Sequence, residues 1–144
     1  MKKIYSVLLS ATLLSCAMSA FAARDTIIPL PGGIADPKGK LTIPLADLPV
    51  GVEYTAHCLI LPDAETIVNF STAGDFIIPI PNVVIDGKTV GSVSGTNAKF
   101  NKGSGSFDLT SFKTISKNKS LVITNLDDKA SVYIPGCLAK PAVN

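Results

Sequence analysis

The chain reads as an all-β protein, an antiparallel two-sheet sandwich, and three observations predict it. From Thr26 onward, short runs rich in Ile, Val, Thr, Phe and Tyr are punctuated by Gly, Pro, Asn and Asp. Nowhere does an apolar period of 3.6 residues persist, as an amphipathic helix would require. Eight to ten candidate strands crowd into the part of the chain after residue 22, which suits two packed antiparallel sheets and leaves an immunoglobulin-like arrangement open.

The elements follow in order. Thr26 to Leu30 is a short run that Pro31-Gly32-Gly33 is expected to close as a turn, and its prolines suit an edge strand. In Lys40 to Leu45, Leu41, Ile43 and Leu45 share one face. The clearest strand is Val52 to Leu61: Val52, Tyr54, Ala56, Cys58 and Ile60 point one way, and Glu53, Thr55 and His57 the other. Thr66, Val68 and Phe70 resume the alternation after Pro62-Asp63. Phe76, Ile78 and Ile80 form a further face, but Pro79 and Pro81 cannot donate ladder hydrogen bonds and confine that run to an edge.

Asp86-Gly87, flanked by Val83-Val84-Ile85 and Lys88-Thr89-Val90, is the strongest hairpin signal in the chain, because a two-residue primed turn needs positive φ at both central positions. The Gly- and Ser-rich stretch from Gly91 to Ser106, with Phe100 inside it, reads as weakly packed strands or an exposed loop. Phe107 and Leu109 alternate again. Leu121 to Thr124 is nearly continuous in apolar character, consistent with a central strand covered on both sides. Ala130, Val132 and Ile134 lead to Pro135-Gly136-Cys137, where a bulge can reset the facing, so the direction of Cys137 stays open.

Residues 1–22 read as a cleaved export signal. Lys2 and Lys3 give a positive start, Tyr5 to Leu14 an apolar core too short to span a membrane, and Ala20-Phe21-Ala22 a small-x-small cleavage site. Within the same segment, Leu13-Leu14-Ser15-Cys16 resembles the lipobox at which bacterial lipoproteins are cleaved and acylated, so lipidation of Cys16 is the alternative, giving an outer-membrane lipoprotein. Cleavage after Ala22 is favoured because the residues after Cys16 lack the polarity of a lipoprotein tether. The leader looks bacterial, and the expected location is the periplasm or the cell exterior. Residues 23–144 then form a single domain with no further transmembrane segment.

Loss of Lys2 and Lys3 leaves eleven Lys/Arg against eleven Asp/Glu, a net charge of zero. Arg24 is the sole arginine and no basic stripe exists, which argues against nucleic acid as a partner. The nearest basic cluster, Lys113, Lys117 and Lys119, reads as a solvated loop.

With the leader gone, two cysteines remain in an oxidising compartment, and Cys58 and Cys137 are expected to form a disulfide. Closing so long a loop stabilises by about 4–5 kcal/mol in the chain-entropy account. Such a bridge would pin the two sheets together or hold the C-terminal strand in place. There is no tryptophan of the kind that packs on the immunoglobulin bridge. A redox or metal pair is disfavoured, since the cysteines are far apart in sequence and His57 faces away from Cys58.

No catalytic constellation is legible. His57 is the single imidazole, and the only glutamates are Glu53 and Glu65. Asp63 and Asp127-Asp128 sit where aspartate caps turn amides, and Gly103-Ser104-Gly105 lacks the strand-then-helix setting of a phosphate loop. Asn69-Phe70-Ser71 and Asn118-Lys119-Ser120 match the glycosylation acceptor pattern and read as ordinary strand and loop residues. No cofactor, metal or catalytic residue is assigned. The expected function is a non-catalytic binding or structural module of the bacterial envelope, acting by protein–protein contact in an envelope or secretion assembly or in surface attachment. Strand addition is a mode open to such a module, and Ile27 to Leu30 and Phe76 to Pro81 are the runs where it would act, although both read equally as ordinary core and edge. The alternatives are a small-ligand binder or inhibitor using the Gly91 to Ser106 stretch with Phe100 as anchor, and then an unrecognised hydrolase.

Overall fold

The computed structural model describes residues 26–74 and 77–142; the leader, Cys16, Arg24 and Phe76 lie outside the described residues. All pairings among the described strands are antiparallel. The strands are β1 (Ile28–Ala35), β2 (Lys40–Pro44), β3 (Tyr54–Pro62), β4 (Thr66–Gly74), β5 (Ile77–Ile78) and β6 (Asn82–Ile85), then β7 (Lys88–Ser92), β8 (Thr96–Phe100), β9 (Gly105–Thr114), β10 (Lys119–Asn125) and β11 (Val132–Pro141). A larger sheet runs β1-β11-β3-β9-β6-β7, with β5 also on β9, and a smaller sheet runs β2-β10-β4-β8.

Alternating apolar residues build both inner faces. In β3, Tyr54, Ala56, Cys58 and Ile60 are buried while His57 and Leu59 are exposed, as period-two patterning requires. The centre of the core is aromatic: Phe107 of the larger sheet meets Phe70 of the smaller edge-on, with ring centroids 4.8 Å apart, and Phe100 closes the cluster. Phe100 is thus a core residue and offers no surface anchor for a ligand. Its stretch is β8, paired along β4, because Ala98 and Phe100 supply the inward face that the flanking glycines and serines obscure. The hairpin at Asp86-Gly87 forms with φ of 52° and 77°, the positive pair its turn needs.

Pro31-Gly32-Gly33 is not a turn. β1 runs straight through it beside β11, and the reason lies across the ladder: β11 carries a bulge between Tyr133 and Cys137, at Pro135-Gly136. A Cβ on Gly32 would lie 1.9 Å from the Ile134 carbonyl oxygen, so glycine lets β1 follow its neighbour through the kink. The bulge also turns both Ile134 and Cys137 inward, although they are an odd number of residues apart.

β10 is central in the smaller sheet, between β2 and β4, but one face only is fully buried; Ser120, Val122 and Thr124 are half-buried on the other. Its first residue corrects the solvated-loop expectation. Lys119 takes an inward position, is 4% exposed, and donates from Nζ to the Gly74 carbonyl at 3.1 Å, whereas Lys113 and Lys117 are exposed. At the other end, fully buried Asn125 donates to the carbonyls of Ala35 (3.1 Å) and Ala130 (2.7 Å). It accepts from Thr66 Oγ1 and the Asp127 amide at 3.0 Å each, joining β1, β4 and β10 at one point.

Candidate functional site

Cys58 and Cys137 form the disulfide, and they do so within one sheet. They are direct partners on β3 and β11, with Cα atoms 4.1 Å apart. The bridge therefore holds the C-terminal strand and does not tie sheet to sheet, unlike the inter-sheet bridge of immunoglobulin domains.

On the opposite side of the same strands lies a concavity of about 400 Å³, lined by Ile27, His57, Val84, Asp108, Leu138 and Lys140 among others. Two adjacent strands make its polar centre. His57 on β3 and Asp108 on β9 are cross-strand partners, and Nδ1 stands 2.6 Å from Oδ1. A carboxylate only accepts, so Nδ1 carries the proton and Nε2 of the neutral ring is left as an acceptor. Both side chains are half exposed, so the pair orients the imidazole more than it stabilises the fold; an exposed pair is worth about 0–1 kcal/mol.

A base held by a carboxylate is two parts of a nucleophilic triad. The hydroxyls beside it are engaged elsewhere: Thr110 Oγ1 accepts the Asn82 amide at 2.7 Å, and Thr55 Oγ1 reaches the Lys140 carbonyl at 3.5 Å. Among the described residues, no group of three or more His, Cys, Asp or Glu side chains is placed to hold a metal ion. Glu53 is exposed and stays apart from the pair. Asp108 escaped the sequence reading because its neighbour is set by strand register, although its place between inward Phe107 and Leu109 marks it as outward-facing.

Beside the concavity, the outer face that β1, β11 and β3 present carries large apolar side chains. Ile34 is 57% exposed, Leu138 51%, Leu59 48% and Tyr133 45%. The register makes them neighbours, because Tyr133 is opposite both Ile34 and Leu61, and Leu138 is opposite His57, two residues from Leu59.

The sheet edges offer less. In β1 the Leu30 carbonyl faces β11, lying 2.9 Å from where a Cβ on Gly136 would sit, so the neighbouring positions Pro29 and Pro31 face the free edge. Neither has an N–H to donate there. β5 spans two residues and is followed by Pro79 and Pro81. At the far edge, β6 and β7 change register between Val83 and Val84, which interrupts a flat template. No family model matches this chain, and no curated protein is similar enough to count as a relative.

Proposed function

We propose that the chain is a non-catalytic, exported binding module of the bacterial cell envelope, freed by cleavage after Ala22, whose protein–protein contacts are made by the outer face of its larger sheet. One observation carries the reading: large aliphatic and aromatic side chains, about half exposed, stand side by side on β1, β11 and β3 where a solvated face would carry polar residues. Strand addition is the weaker mode, since β1 presents prolines at its open edge. A Cys58–Cys137 bridge suits an oxidising compartment.

Cross-linking in intact cells followed by recovery of the tagged chain tests this. Wild type should bring down a stoichiometric protein partner, Leu138→Glu should lose it, and His57→Ala should not gain or lose an enzymatic activity. A wild-type chain that recovers nothing counts against the proposal. Intact-mass measurement of the recovered chain should give residues 23–144 less two hydrogens; an acylated chain starting at Cys16 would replace the soluble module with a lipoprotein.

A second reading, a small-ligand binder, is favoured by the concavity itself, whose volume falls within the usual range for ligand pockets of about 300–1,000 Å³. Under it, a ligand would protect the protein thermally and His57→Ala would abolish the protection.

A further inference from the structure

The inference rests on reading the outer face of the larger sheet as a docking surface, and it names the occupant. We infer that the occupant is a second copy of this chain, packed face to face about a two-fold axis that crosses the strands at Leu59.

Three features of that face support a copy of itself as partner. The first is symmetry. Along β3, Leu59 lies midway between Leu61, which is opposite Tyr133, and His57, which is opposite Leu138. Rotation about an axis across the strands at Leu59 exchanges those two rows, so Tyr133 of each copy comes over Leu138 and His57 of the other, as an isologous contact demands. The second is charge. From Ile34 through Tyr133, Leu61, Pro135 and Leu59 to Leu138 no residue is charged, so an identical surface meets it without like-charge repulsion, and the carboxylate that the contact reaches, Asp108, stays paired with His57.

The third is area. Half-exposed Ile34, Leu59, Tyr133 and Leu138 with their neighbours offer on the order of 500 Å², and the rim at Ile27 and Lys140 brings the face toward the roughly 800 Å² per partner of a standard interface. The concavity gives the contact its specificity. A Tyr133 side chain entering it brings a phenolic O–H toward Nε2 of His57 in the other copy, the one ring nitrogen that Asp108 leaves as an acceptor.

Sedimentation equilibrium of the processed chain, from about 1 to about 200 µM, tests this by mass action. The wild type should pass from one protomer mass to two. Leu138→Glu should stay at one, Tyr133→Phe should weaken association severalfold, and Ile67→Glu, on the outer face of the smaller sheet, should dimerise like wild type. Circular dichroism checks that each variant is folded; should Leu138→Glu fail to fold, Ile34→Glu at the 57% exposed edge position carries the same expectation.

A wild type that stays monomeric throughout overturns the inference, and so does a dimer that survives Leu138→Glu or is lost in Ile67→Glu. The docking reading fails separately. If the monomeric wild type still recovers a different protein in cells and Leu138→Glu loses it, the face docks a foreign partner; if neither is recovered, both proposals fall.

Discussion

The two outer faces of this sandwich are built by the same alternation and end in opposite chemistry. On the smaller sheet the outward positions include Lys40 and Thr42 of β2, Ser120, Val122 and Thr124 of β10, and Asn97 and Lys99 of β8, with Ile67 of β4 as the one large apolar residue of these strands that is exposed and Val122 half-buried. Asn69 donates to Asn97 across two strands at 2.8 Å, and Lys99 pairs with Glu65 at 3.6 Å. That face is finished for water. On the larger sheet the equivalent positions of β1, β11 and β3 hold Ile34, Tyr133, Leu59 and Leu138, beside the polar patch of His57, Asp108 and Lys140. Both sheets share one core, so folding alone does not call for the difference, and the proposed contact with another surface would.

The sheets also differ in what holds them. The larger is locked covalently by Cys58–Cys137; the smaller is tied at one end by the hydrogen bonds of buried Asn125. The largest expected effect comes from removing the lock. Cys58→Ala with Cys137→Ala should cost about 4 kcal/mol and lower the melting temperature by on the order of 15 °C. Hydrogen exchange should then show β1 and β11 opening before β4 and β10. Equal loss of protection in both sheets would contradict the assignment of the bridge to one of them.

Next in size is Asn125→Ala. It leaves the carbonyls of Ala35 and Ala130 and the Thr66 hydroxyl without their partner, at a cost of about 2–4 kcal/mol by urea denaturation. Here the opening should begin at the β1, β4 and β10 junction. A loss no larger than that of an ordinary surface substitution would mean the network does not secure the smaller sheet.

The smallest effect is titratable. Asp127 accepts the backbone amides of Ala130 (2.5 Å) and Lys129 (2.8 Å), and these bonds hold its carboxyl below the ordinary value of 3.8. A lowered native pKa means the contribution is fully present above the unfolded carboxylate's range and is lost as pH falls through the native value. The urea midpoint should therefore decline on the acid side, and Asp127→Asn should flatten part of that decline. An unchanged acid profile in the variant would remove Asp127 from the account.

How much of this was legible in the sequence depended on whether neighbours in space were neighbours in the chain. The Asp86-Gly87 hairpin and the inward set of β3 were legible because turn chemistry and alternation are local. The Cys58–Cys137 pair was legible because two cysteines allow one pairing. The His57–Asp108 pair was not, since it depends on the register between β3 and β9, and the same is true of the Ile34–Tyr133 contact on the apolar face. Pro31-Gly32-Gly33 misled because a close approach between strands selects the same residues as a turn. Lys119 misled because its composition-rich surroundings hid an inward position in β10.

Under the proposed function the outer face of the larger sheet is covered where the protein works. Hydroxyl-radical footprinting reads that coverage residue by residue when the dilute purified chain is compared with the chain in intact cells. Labelling of Tyr133, Leu138 and Leu59 should fall severalfold in cells while Ile67 on the opposite face labels equally in both. Equal labelling of both faces in cells would show that the larger sheet stands bare there.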